Sequence, residues 1–216
     1  MKSIILWLIR SASLFVLPFI ILIRGAVFLH HRYPILPAHL ALLGGVALTC
    51  LLLYLYLTYF LRKVSAATGT SSSPRFRLLM VFGLLGCYAI YALFYLSNQN
   101  MKHPEIRKEY LTLHPILRVA VSTWVFVDPG LVITDADRGS QDYVKWGLPS
   151  KSNSLHYRQR DGLVYAVDLR TRGRSGIRNW ITKLYFRLMG FHVLRHGGTG
   201  DHLHVSLSNH DSPYSR

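Results

Sequence analysis

Three long apolar stretches occupy the first hundred residues, and nothing like them follows. Residues 38–60 are apolar apart from His39 and two threonines, and residues 78–96 are apolar throughout. Each is close to the roughly 20 residues that cross a hydrocarbon core. The first stretch, residues 11–29, is interrupted by Arg24, whose head must snorkel toward an interface. It runs past Arg24 without a small-residue cleavage site and further spans follow, so it reads as a retained span and not as a signal peptide. The pattern predicts a membrane region over residues 1–100 with about three transmembrane helices, and one tethered soluble domain over residues 101–216.

Beyond residue 100 the pattern changes to short mixed segments. Residues 98–113 are polar and mixed in charge, which suits a tether and then a helix start. Residues 114–127 predict a helix with Pro115 in its first turn and Asp128-Pro129-Gly130 ending it. Strands are expected at 131–134, 164–169 and 202–207, with a turn over 135–141 and an irregular loop over 146–153. Ile177, Trp180, Ile181, Leu184, Tyr185 and Leu188 recur at helical spacing up to Gly190, a stripe expected to cover a sheet. The fold class is α+β.

Charge follows the same division. Residues 1–100 hold 8 of the 25 Lys and Arg and none of the 10 acidic residues, which leaves the back half with a net charge of +7. Arg62, Lys63, Arg75 and Arg77 bracket the loop between the second and third spans, whereas the first loop carries only Arg32. Because cations are retained on the cytoplasmic side, this bias places the C-terminal domain on the periplasmic or extracellular side; Lys102, Arg107 and Lys108 argue against it. Cys50 and Cys87 both lie in predicted spans, so no disulfide is expected in the domain. Of the eleven histidines eight are in the back half, and His192, His196, His202, His204 and His210 crowd the last 25 residues, a cue for metal.

The sharpest motif is Gly200-Asp201-His202-Leu203-His204-Val205, preceded by Ser154-Leu155-His156-Tyr157 and Ala166-Val167-Asp168-Leu169. Two imidazoles and one carboxylate suit a tetrahedral Zn²⁺ with one position open, the hallmark of a catalytic and not a structural site. These residues resemble the LAS-type zinc metallopeptidases, named for lysostaphin, D-Ala-D-Ala metallopeptidases and Sonic hedgehog, and within them the D-alanyl-D-alanine carboxypeptidase branch. Ser154, His156, Gly162, Ala166, Asp168, Asp201 and His204 match that branch's pattern in order; Arg138-Gly139-Ser140-Gln141 and Gly190-Phe191 extend the likeness over roughly residues 114–208. His156 and Asp168 are separated by eleven residues where the family has six.

The resemblance implies a small LAS/hedgehog-like domain, an antiparallel sheet with helices, in which His156, Asp168 and His204 hold Zn²⁺. It implies that Asp201 moves the proton, with His202 as the competing candidate through the lysostaphin branch, and that Arg138 engages a substrate carbonyl or carboxylate. Together with the topology, it implies a membrane-anchored metallopeptidase of a bacterial inner membrane acting on peptidoglycan stem peptides or precursors. The rival reading is a catalytically inactive zinc-containing binding or sensing domain on the same anchor, which the long His156–Asp168 spacing allows. The basic run Arg170, Arg172, Arg174 and Arg178 with Trp180 reads as a solvated or lipid-facing patch, and no nucleic-acid partner is expected.

Overall fold

The computed structural model describes residues 2–68, 72–145, 147, 153–198 and 200–208. Helices α1 (Lys2–Arg32), α2 (Ala38–Thr68) and α3 (Pro74–Phe94) come first. Each holds a stretch long and apolar enough to cross a membrane: Ser11–Arg32, Ala38–Ala66 and Pro74–Phe94. The helices overrun the expected spans because charge ends an apolar stretch without ending a helix; α2 continues through Arg62 and Lys63, both good helix formers. Helix α3 begins at Pro74 because the Ser73 hydroxyl accepts from the Phe76 amide at 3.2 Å, and proline in the first turn sacrifices no helical bond. Helices α1 and α2 pack closely through glycine, since a Cβ on Gly45 would strike the Leu22 carbonyl oxygen.

The remaining elements are α4 (Ile106–Thr112), α5 (Pro115–Val127), β1 (Ile133–Asp135), α6 (Ser140–Lys145), β2 (Ala166–Arg170), α7 (Gly176–Met189), β3 (His192–His196) and β4 (His202–Ser206). The strands form one sheet in the order β1-β2-β4-β3, with every neighbouring pair antiparallel. The α+β class and three of the four strands follow the sequence pattern. Strand β3 was not foreseen, because it is an edge strand in which only Val193 is buried. The loop expected at 146–153 and His210 fall almost wholly outside the described residues.

Two expectations are corrected. Residues 98–113 are not a tether: Ile106 and Tyr110 are buried, and the Asn100 amide donates to the Pro129 and Leu131 carbonyls, both at 2.8 Å. The domain is instead built onto the spans. The last carbonyls of a helix lack intrahelical donors, and at the end of α3 the domain supplies them: Ser122 Oγ (2.9 Å) and Tyr110 Oη (3.1 Å) donate to Ala92, and Arg118 Nη1 donates to Leu93 at 3.0 Å. Helix α5 packs against all three long helices and α7, which is why it is apolar nearly all round.

The stripe on α7 does not cover the sheet. Asn179, Thr182, Phe186 and Met189 point inward instead, while Ile177, Trp180, Ile181, Leu184 and Leu188 are exposed. The polar pair is accepted inside because it is bonded there: Asn179 Nδ2 donates to the Thr171 carbonyl at 3.0 Å, and Trp124 Nε1 donates to Thr182 Oγ1 at 3.0 Å. Helix α7 stops at Gly190, in the left-handed region at φ 98°, with the Arg24 guanidinium of α1 over its end. A cation is favourable at a helix C-terminus.

Gly190→Ala should therefore lower stability by about 1–3 kcal/mol, since a Cβ adds left-handed strain and overlaps Arg24 and Val27. Thermal unfolding in detergent measures it, and an unchanged midpoint would break the link between α7 and the first span.

Candidate metal centre

The sheet separates core from chemistry by alternation. Val167, Leu169, Val193, Leu203 and Val205 point into the core. On the other face, β2 and β4 pair Asp168 with His204 and Arg170 with His202, while β4 and β3 pair His204 with Leu194 and His202 with His196. Directly opposed residues share a face, so these side chains stand together. A register irregularity between Ile133 and Asp135 lets Ile133 pair with Leu169 on the core face and Asp135 pair with Asp168 on the other.

His156 arrives from a loop despite its eleven-residue separation from Asp168. The Tyr165 amide donates to the Leu155 carbonyl at 3.0 Å, which fixes both ends of the excursion. Inside it, Gly162 at φ 77° donates to the Gln159 carbonyl, and Gln159 donates to the Leu163 carbonyl, each at 2.9 Å. Extra length in a closed loop carries little entropic penalty. His156 Nε2 ends 3.3 Å from Asp168 Oδ1 and 3.1 Å from His204 Nδ1, and His204 Nδ1 is 3.0 Å from Asp168 Oδ1.

His156, Asp168 and His204 each offer one donor atom, all within 4.8 Å of one another, a group that can hold a metal ion. The donor set fits a metal of borderline softness such as zinc. Its support fits as well: His156 Nδ1 donates to the Ala136 carbonyl at 2.7 Å, which leaves Nε2 as the atom turned to the cluster and able to ligate a metal ion. His156 and Asp168 are both 2% exposed, which shields the site on its inner side.

Arg138 bonds Asp135 Oδ2 through Nε and Asp168 Oδ2 through Nη2. Burial alone would raise the Asp168 pKa, but His156, the hydrogen bond from His204 and the Arg138 charge together hold it well below the usual aspartate range. Asp135 goes the other way: burial raises it, aided by the Asp168 charge and opposed by Arg138 and His156. The sequence did not single out Asp135, and only the irregularity in β1 brings it to the site.

The two proton-transfer candidates are in different settings. Asp201 lies just before β4 and is held by both arms of Arg195, at 3.0 Å and 2.7 Å; this hydrogen-bonded pair lowers its pKa to about 2. His202 Nε2 is 3.5 Å from Asp168 Oδ2, and its Nδ1 bonds the Gly200 carbonyl. His196, counted among the clustered histidines but given no role by the sequence, stacks on His202 with ring centroids 5.0 Å apart. A cleft of about 750 Å³ opens beside the cluster, lined by Lys102, Thr134, Arg138, Asp168, Arg170, Arg172 and His202 among others. The basic run is divided: Arg170 and Arg172 border this cleft, while Arg174 and Arg178 both pair with Asp128. No family model, curated protein or solved structure matches the chain.

Metal analysis of the purified full-length protein should find about one metal ion per chain, and His204→Ala should largely empty the site. Full occupancy in both His156→Ala and His204→Ala would mean the wrong ligands are assigned. In the metal-free protein, an aspartate with a depressed folded pKa stabilises the fold above its ordinary value near 3.8 and loses that contribution as pH falls below it. The unfolding midpoint of the wild type should thus fall more steeply below about pH 4 than that of Asp168→Asn. Parallel acid limbs would refute the depressed pKa.

Proposed function

We propose that the chain is a membrane-anchored zinc metallopeptidase that hydrolyses peptide bonds in peptidoglycan stem peptides or their precursors, of D,D-carboxypeptidase or endopeptidase type. In this reading its domain lies on the outer side of a bacterial cytoplasmic membrane and has the LAS-type fold. The observation that carries the proposal is the convergence of His156, Asp168 and His204 on an open sheet face beside a cleft. Their chain order and neighbours match the LAS-type pattern, and an antiparallel sheet carries two of them. Lys102, Arg170 and Arg172 line the cleft together with Asp135, Asp168 and Asp201, and these cations suit a peptide bearing free carboxylates.

A zinc ion at this position supplies Lewis-acid chemistry, polarising a peptide carbonyl and bringing the ionisation of water to about pH 7. His202 then has the proton-transfer role. Its Nδ1 is committed to the Gly200 carbonyl, so the Nε2 lone pair faces the cluster and takes a proton from the attacking water, returning it to the leaving amine. Asp201, with a pKa near 2 and both oxygens on Arg195, is a weak proton acceptor and serves to anchor the start of β4. Arg138 keeps Asp168 ionised and correctly turned, and it lines the cleft, where a planar guanidinium has the geometry to engage a substrate carbonyl or carboxylate.

The test is cleavage of muropeptides by the zinc-loaded full-length protein. His202→Ala should retain zinc and lose turnover by ~10²–10⁴-fold, whereas Asp201→Ala loses less. The reverse order would restore Asp201 as the base. Zinc bound without cleavage of any muropeptide would favour the second reading, a binding or sensing domain, which the sequestered Asp201 also suits.

A further inference from the structure

Helix α7 has two apolar faces, and among the described residues only one of them is covered by protein. The inward face is packed against α5 and β3, with Trp124 stacked on Tyr185 at 4.5 Å and Phe186 fully buried. On the opposite side of the helix, Ile177, Trp180 and Leu188 are 72%, 61% and 63% exposed, and Ile181 and Leu184 complete the stripe. Positions 177, 180, 181, 184 and 188 fall on one side at 3.6 residues per turn, so this is a continuous face and not scattered exposure.

Position and charge indicate what covers it. The end of α7 touches Arg24 and Val27 of the first span, and Arg24 lies eight residues before that span's end, about 12 Å along the helix axis. The adjoining end of α5 is also open: Phe126 and Val127 are exposed, and Phe126 stacks on Tyr91 of the third span at 4.9 Å. The apolar face of α7 is therefore continuous with the lipid-facing surface of two spans. Helix α7 carries Arg178, Lys183 and Arg187 and no acidic residue, and it presents a tryptophan on the open side; cations flanking an apolar face with an aromatic anchor are the pattern of a helix lying in a membrane interface.

We propose that α7 is an interfacial helix, seated in the headgroup and acyl boundary of the bilayer with Ile177, Trp180, Ile181, Leu184 and Leu188 turned into the lipid and Lys183 and Arg187 among anionic headgroups. The proposal goes beyond the peptidase reading and rests only on the three spans, so it stands or falls independently of metal content and cleavage. Because His156, Asp168 and His204 lie on the opposite face of the sheet from the core on which α7 packs, this docking turns the cleft beside them away from the bilayer. The docked helix also holds the cleft at a fixed height above the lipid.

The test uses the full chain with Cys50→Ala and Cys87→Ala, reconstituted in phosphatidylethanolamine and phosphatidylglycerol vesicles. A nitroxide is placed singly through Ile177→Cys, Ile181→Cys or Leu188→Cys, with Arg172→Cys at the cleft rim as the aqueous control. Power saturation should show the α7 labels several-fold more accessible to oxygen and several-fold less accessible to a water-soluble nickel chelate than the control. In otherwise unmodified protein, lipids brominated on their acyl chains should quench the wild type more than Trp180→Phe. Nickel accessibility equal to the control, or equal quenching of both proteins, would overturn the proposal. Dipolar coupling between labels on different copies would also overturn it, by giving the stripe to a second copy of the chain.

Discussion

Burial of the Asp168 carboxylate constrains everything around it. A charge in a protein interior is tolerated only when hydrogen-bonded and paired, and Asp168 sits on a central strand beside a second buried carboxylate, Asp135. One guanidinium bridges the two, so Arg138 is fixed by electrostatics before any substrate is considered. The loop carrying Arg138 is in turn tied to the loop carrying His156, because the Arg138 amide donates to the His156 carbonyl at 3.0 Å. The Ala136 carbonyl two residues earlier orients the His156 ring. Breaking such a buried arrangement by removing one partner typically costs about 3–5 kcal/mol, so the candidate metal site and the local fold are one structure.

A second constraint acts where the domain meets the three long apolar helices. The end of α3 leaves carbonyls without intrahelical donors, and Tyr110, Ser122 and Arg118 satisfy them from two different elements of the domain. The far end of the first span is joined too: His30 Nε2 donates to the carbonyl of Ser208 at 2.8 Å, just past β4. The strand carrying His202 and His204 is thus tied at its end to α1, and the domain is held by polar bonds as well as by apolar contact.

Periodicity and ligand chemistry were the legible parts of the sequence. The spans were readable because a membrane demands long uninterrupted apolar runs, and β4 because its alternation of His, Leu, His and Val is unambiguous. The joining of His156, Asp168 and His204 was visible as a pattern, although not the backbone bond from Tyr165 to Leu155 that makes the long spacing harmless. Strand β3 was hidden because its edge position buries a single residue. The pairing of Asp201 with Arg195 was hidden because it is made across the β3–β4 hairpin, where local spacing gives no sign of it. Helix α7 misled for a different reason: hydrophobic periodicity identifies a face that avoids water without saying whether protein or lipid covers it, and here the protein side is taken by Asn179 and Thr182 with bonded partners.

The openness of the metal face follows from where the core lies. A small domain with one four-stranded sheet commonly needs helices over much of its surface to bury enough apolar area. In this chain the buried apolar cluster runs without a break from Leu22, Ile23 and Val27 of the first span through Leu117 and Val121 of α5 to Leu203 and Val205 of β4. The spans extend the core, so the opposite sheet face is free of that duty. Histidines, carboxylates and arginines can occupy it at no loss of apolar packing, and a cleft can remain open above them. An isolated domain would surrender the part of the core contributed by α1 and α3 and uncover the polar seam on Ala92 and Leu93. The geometry of the His156, Asp168 and His204 cluster is in this sense built on the three long apolar helices, even though none of them contributes a residue to it.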